Sequence, residues 1–215
     1  MNVLLIGANG QIGQHLVDLF ANKSEHTVRT MVRKEEQAAA LKEKGVEAVV
    51  ADLEGSVDKI AEAAQGCDAV IFTAGSGGKT GPDKTLLVDL DGAVKSFEAA
   101  EQAGIKRYVM VSAFQAGNRE NWNEKLRPYY VAKHYADRML EESSLNYTIV
   151  RPGGLLNEEG TGKVAAAVSG LERGSIPRVD VARTVYETLT EEKTYKKTFD
   201  LISGDTEIEA ALKSL

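Results

Sequence analysis

The sequence predicts an α/β fold: a doubly wound parallel sheet of about seven strands flanked by helices, with a small substrate-side region near the C-terminus. Three observations carry that expectation. Short apolar runs alternate with helix-period segments along the chain. The runs show little polar alternation, as strands buried on both faces do. The stretches between them, roughly 10–20 residues, are long enough for the crossovers that parallel strands require.

Each element has a local reason. "NVLLIG" reads as a buried strand and Gln11 to Ala21 as an amphipathic helix. "TVRTMVR" alternates like a strand, and "EEQAAALKEKG" is a helix with Gly45 as its stop. "VEAVVAD" is the third strand. "SVDKIAEAAQG" is a short helix with Ser56 as N-cap and Gly66 past its end. "CDAVIFTAG" is the fourth strand. "GPDKTLLVDLDGAVKSFEAAEQAG" reads as one long helix, with Pro82 near its start and Gly104 after it. "KRYVMVSA" is the fifth strand, "RPYYVAKHYADRMLEESS" a helix opened by Pro128, "NYTIVRPG" the sixth strand and "KTFDLIS" the seventh. Residues 1–215 are expected to form a single domain, with 153–195 supplying most of the roof over the substrate side.

Composition narrows the function classes. A net charge of −6 argues against general nucleic-acid binding, which needs a basic surface. One cysteine, Cys67, precludes an internal disulfide and fits a reducing compartment. No apolar run approaches the roughly 18 residues of a membrane helix, and no signal peptide is visible, so a cytoplasmic location is expected, with no membrane partner. His15, His26 and His134 lack metal-ligand spacing, and no metal site is expected.

The chemistry begins at "GANGQIG". Gly7, Gly10 and Gly13 sit where an apolar strand turns at once into a helix. Glycine permits the turn, and the helix N-terminus, with its unpaired N–H groups, holds phosphate. Gly7 is read as the turn, Gly10 as the close approach to a pyrophosphate and Gly13 as the close packing of helix on strand; Asn9, Gln11 and Ile12 complete the cofactor loop. The second strand ends in Arg33 and Lys34 with no acid at its tip. Since an acid there favours NAD and an arginine accommodates the 2′-phosphate, NADP (NADPH) is the expected cofactor ahead of NAD. The alternative is that both cations are solvated and pair with Glu35 or Glu36.

Together, "GANGQIG", "ADLEG", "FTAGSGG", "VMVSA", "YYVAK" and "TIVRPGGL" resemble the short-chain dehydrogenase/reductase superfamily. The likeness spans nearly the whole chain. It is to the atypical branch, which holds proteins described as NAD-dependent epimerase/dehydratases and is related to NmrA-like and biliverdin reductase B/flavin reductase proteins. The resemblance implies a Rossmann fold. It implies that Asp52 and Leu53 contact adenine, and that Thr73, Ala74, Gly75 and Ser76 pass along the cofactor. It also implies that Arg151, Pro152 and Gly153 lie beside the nicotinamide.

The superfamily's Y-x-x-x-K pair matches Tyr129 and Lys133, and its serine matches Ser112. On a helix, residues i and i+4 share a face, so phenol and ammonium can approach one substrate. Tyr129 would be the general acid or base, its pKa brought down by Lys133, with Ser112 binding the substrate oxygen. Asp89 in "DLDG" stands where the family has asparagine, and an acid there could take or shuttle a proton. Equally, Tyr129 could only pack while Lys133 holds ribose hydroxyls. The glycine-rich "GSGGKTG" (75–81) is expected to be a mobile loop with Lys79 available to an anion, and "NEEGTGKVA" (157–165) a flap over the nicotinamide. Trp122 and Phe114 either line the substrate pocket or pack.

Three functions follow. One is an NADP(H)-dependent oxidoreductase acting on a small carbonyl or alcohol, of epimerase/dehydratase-like type. Another is a flavin- or quinone-type reductase working by cofactor positioning. The third is a non-catalytic NADP-binding sensor. The expected partner is a small-molecule substrate, in a monomer or a homodimer.

Overall fold

The computed structural model describes residues 1–78 and 80–215; Lys79, the expected loop cation, lies outside the described residues. The strands are β1 (Asn2–Ile6), β2 (Thr27–Val32), β3 (Glu47–Val50), β4 (Ala69–Phe72), β5 (Arg107–Val111), β6 (Asn146–Pro152), β7 (Gly154–Leu156), β8 (Lys163–Ala167), β9 (Ser175–Pro177), β10 (Lys197–Ser203) and β11 (Thr206–Glu207). Seven run parallel in the order β3-β2-β1-β4-β5-β6-β10. Antiparallel β8 and β11 extend that sheet to nine strands, and β7 pairs separately with β9.

Alternate residues of β1 serve two cores. Val3 and Leu5 join Leu16, Val109 and Val185 on the face of α1 (Gln11–Asn22), α2 (Glu35–Glu43), α7 (Arg178–Glu187) and α8 (Ile208–Lys213). Leu4 and Ile6 join Ile60, Phe97, Tyr108 and Leu140 on the face of α3 (Val57–Ala64), α5 (Ala93–Gln102) and α6 (Arg127–Glu141). Burial of both faces accounts for the weak polar alternation of these strands. Ser56 caps α3 as expected, accepting from the Lys59 N–H at 3.4 Å.

Two regions depart from the sequence reading. The expected long helix begins with a short turn, α4 (Pro82–Lys84), passes through a π-helical segment at Thr85–Gly92 and continues as α5. An extra residue per turn carries Asp89 into the core, where it is 1% exposed. In the 153–195 stretch, β8 joins the sheet beside β10 and α7 packs on α1, while β7 follows β6 directly and pairs with β9. The expected 157–165 flap is tied down. Buried Asp180 accepts from the N–H groups of Thr161 at 2.8 Å and Gly162 at 3.1 Å, and Lys163 to Ala165 belong to β8.

Arg107 at the start of β5 is a clamp of unusual kind. It is 4% exposed and has no carboxylate within salt-bridge reach among the described residues. Its guanidinium instead donates to the carbonyls of Asn146, Leu189 and Thr188 and to Thr148 Oγ1, and lies over the Tyr195 ring at 4.3 Å. Burial lowers its pKa to about 10.

Candidate active site

The sheet reverses its winding between β1 and β4, which opens a crevice at their carboxyl ends. Gly7 turns the chain there with φ +95°, and a Cβ would lie 2.5 Å from the Ala74 nitrogen. At Gly13 a Cβ would lie 2.2 Å from the Gly7 carbonyl oxygen. These glycines let α1, β1 and the end of β4 meet without side chains between them. Gly10 is the N-cap of α1 and makes no side-chain cap bond. The first N–H groups of that 12-residue helix have no acceptor among the described residues. This cradle fits the pyrophosphate of a dinucleotide: open backbone donors, the positive end of a helix and no Cβ in the way.

The residues expected along the adenosine half follow the same carboxyl ends. Arg33 is exposed, and no hydrogen bond or ion pair engages it among the described residues. Lys34 contacts Glu36 at 3.2 Å across exposed surface. Asp52 turns the chain after β3, accepting from the Glu54 N–H at 3.0 Å, and Leu53 is buried beneath it. Thr73 donates its hydroxyl to the Ile6 carbonyl at 3.1 Å, joining the ends of β4 and β1.

Next to this crevice the structure brings Asp89, Lys133 and Tyr129 together. Lys133, 3% exposed, donates to the Val111 carbonyl at 3.2 Å and places its Nζ 3.9 Å from Asp89 Oδ1. Asp89 Oδ2 accepts from the Ser76 N–H at 3.1 Å, so the loop after β4 closes on its carboxylate. A Cβ on Gly75 would come 3.1 Å from Asp89 Oδ1. Burial lowers the Lys133 pKa, against the raising pull of Asp89 and then Asp137. Tyr129 is half-buried, with its ring centre 5.9 Å from Lys133 Nζ. The expected lowering of its pKa is not what the structure presents. Burial, followed by the Asp89 charge, pushes the phenol above its ordinary value.

Ser112 is 3% exposed and its Oγ is enclosed beside Asp137, not open at the cleft where a substrate oxygen would bind. Ser112 Oγ and Asp137 Oδ1 are both buried, and among the described residues neither has a partner at full hydrogen-bond distance, though the Ser112 hydroxyl lies close enough to Asp137 to favour its charged form. Asp137 Oδ2 accepts from Arg151 Nε at 2.8 Å, and burial raises its pKa against the pull of Arg151. Asp200, across the register from Arg151, accepts from the Gln115 N–H at 2.9 Å. Pro152 is buried, and Gly153 leaves room for the Gly174 carbonyl, which its Cβ would meet at 2.3 Å. Phe114 is buried. Trp122 stacks on Tyr130 at 5.9 Å and donates to the Ala116 carbonyl, so both aromatics pack the loop onto α6. Asp137 and Asp200 escaped the sequence reading. Asp137 was signalled by its place four residues after Lys133, on the same helix face.

A doubly wound sheet, a side-chain-free phosphate cradle at the switch point and a buried lysine beside it define a dinucleotide-binding protein. The chain belongs to the family described as NAD(P)H-binding, whose model matches residues 7–192. It is 66% identical over 215 residues, all of both chains, to YhfK of Bacillus subtilis, named an uncharacterized sugar epimerase. Among solved structures, a Bacillus halodurans protein provisionally described as an NAD-dependent epimerase/dehydratase superposes with TM-score 0.93 at 45% identity, covering both chains fully. ChuY of Escherichia coli O157:H7, described as an anaerobillin reductase, superposes with TM-score 0.82 at 25% identity, covering 96% of this chain and 99% of that one. The protein is therefore a member of this NAD(P)H-binding family, among whose similar proteins are ones named as epimerases and a reductase.

Proposed function

We propose that the protein is an NADP(H)-dependent oxidoreductase that moves hydride between the cofactor and a small carbonyl or alcohol. The observation that carries this is Lys133, buried 3.9 Å from Asp89 and one turn beyond Tyr129, beside the glycine cradle. The bound nicotinamide would supply the hydride. Gly7, Gly10 and Gly13 admit the pyrophosphate, and Lys133 holds a positive charge under the ribose. Asp89 balances that charge and ties it to the Ser76 loop. Tyr129 is the proton donor. The phenol carries its proton at physiological pH and can give it to a carbonyl oxygen as hydride arrives; burial and Asp89 push its pKa up and so weaken it as an acid, and the Lys133 charge works against them.

Arg33 supports NADP over NAD, because its guanidinium is exposed and uncommitted at the end of β2. A charge-assisted bond to the 2′-phosphate is worth roughly 1.5–3 kcal/mol, about 10- to 150-fold in affinity. NADPH is expected to bind more tightly than NADH in parallel titrations, with the preference collapsing in Arg33→Ala. Affinities within threefold of each other in the unaltered protein would refute the NADP assignment.

A second reading, reduction of an unsaturated or quinone-type acceptor by cofactor positioning alone, draws on the enclosed Ser112 hydroxyl and the reductase name of ChuY. Tyr129→Phe separates the two. A general acid contributes about 10²–10⁴-fold, so turnover should drop by at least 100-fold under the first reading and stay level under the second. Asp89→Asn should move the alkaline limb of kcat/KM to lower pH, since the phenol loses the negative neighbour that opposes its ionisation. An unmoved limb would remove Asp89 from the mechanism.

A further inference from the structure

We infer that Arg151 receives the carboxylate of the substrate, so that the protein acts on an organic acid. This rests on the oxidoreductase reading above and adds the substrate class to it. Arg151 ends β6 with its side chain on the α6 side of the sheet, 15% exposed. Among the described residues only Nε is committed, to Asp137 Oδ2 at 2.8 Å. Nη1 and Nη2 have no hydrogen-bond partner among the described residues and are not sealed in the interior. They lie under Gly117, an exposed residue of the loop after β5, where a Cβ would stand 3.1 Å from Nη1 and 3.5 Å from Nη2. Asp200, the neighbour across the sheet, is engaged by the Gln115 N–H and does not reach the guanidinium within 4 Å.

A guanidinium held by one nitrogen, with two terminal nitrogens open beneath a glycine, is a fork awaiting a planar bidentate anion. The surroundings choose the charge of that anion. Asp137 is paired with Arg151 and Asp200 lies across the register from it, so a singly charged carboxylate meets less repulsion than a doubly charged phosphate. The Nε bond to Asp137 Oδ2 fixes the inner side of the arginine and leaves its outer edge to the ligand.

The test is binding of phenylglyoxylate and of its methyl ester, followed by ligand-observed NMR with the whole protein, alone and with NADP. The acid should bind at least tenfold more tightly than the ester. Arg151→Gln should cost the acid at least tenfold and leave the ester within twofold, and Arg151→Lys, which keeps a cation beside Asp137, should fall between. Should loss of the Asp137 partner unfold Arg151→Gln, Gly117→Ala decides the matter. Its Cβ crowds the terminal nitrogens of Arg151 while both partners of the Arg151–Asp137 pair are kept, and acid binding should weaken by at least threefold with the ester unaffected. Equal affinity for acid and ester, binding of neither, or a preference that survives these substitutions overturns the assignment. Failure of the NADP arm alone overturns the oxidoreductase reading and leaves the acid–ester comparison to be read in its own right.

Discussion

Gly13→Ala is expected to abolish useful cofactor binding. The new Cβ would fall 2.2 Å from the Gly7 carbonyl oxygen and 2.8 Å from the Ala8 Cα, both main-chain atoms that cannot swing away. Either α1 shifts outward or the turn at Gly7 is rebuilt, and both displace the open N–H groups at the start of α1 that would hold the pyrophosphate. Overpacking of this kind costs about 1–3 kcal/mol or more. Cofactor affinity should fall on the order of 100-fold, equivalent to about 2.7 kcal/mol. Calorimetric titration with NADPH, beside a melting curve, separates the two losses. An alanine variant that binds NADPH within threefold of the parent would show that the glycine cradle does not hold the cofactor.

Arg107→Met should produce the largest loss of stability without touching the cleft. Methionine fills the space but leaves the carbonyls of Asn146, Leu189 and Thr188 without their donor in the interior. Each buried orphan costs roughly 1–3 kcal/mol, partly offset by removal of a desolvated charge. A net loss of about 3–5 kcal/mol follows, lowering the melting temperature by roughly 10 °C. Urea denaturation gives the number directly. A loss under about 1 kcal/mol would mean that the cost of burying the guanidinium already cancels its hydrogen bonds.

Much of the sheet was legible because parallel strands buried on both faces are written as uninterrupted apolar runs, as in Val3 to Ile6 and Ala69 to Phe72. The phosphate cradle was legible because only glycine satisfies its contacts. The π segment was not, since its residues carry ordinary helical composition. What the segment achieves, the meeting of Asp89 with the Ser76 N–H and Lys133, involves residues distant in the chain. Three-residue strands such as β7 and β9 are too short to show a period, and "KVAAA" in β8 has one β-branched residue, Val164, among three alanines that do not mark a strand. The helices α7 and α8 were missed although a signal was there: Val181, Ala182 and Val185, then Ile208, Ala211 and Leu212, recur at helical spacing. Arg107 looks like a surface cation in sequence, and Arg151 is singled out there only through the "TIVRPGGL" resemblance. Their partners come from distant segments, and no local pattern announces them.

The sheet's two margins bear on what the protein can associate with. One margin is four-residue β3, where Glu47 pairs with Arg29, and the other is two-residue β11, which ends on Glu207. Short, charged borders make poor templates for a foreign strand. The long apolar strands that would be adhesive are enclosed between neighbours. Partly folded chains are thus protected from edge-to-edge stacking once these outer strands have docked, and any later association is left to helices and loops.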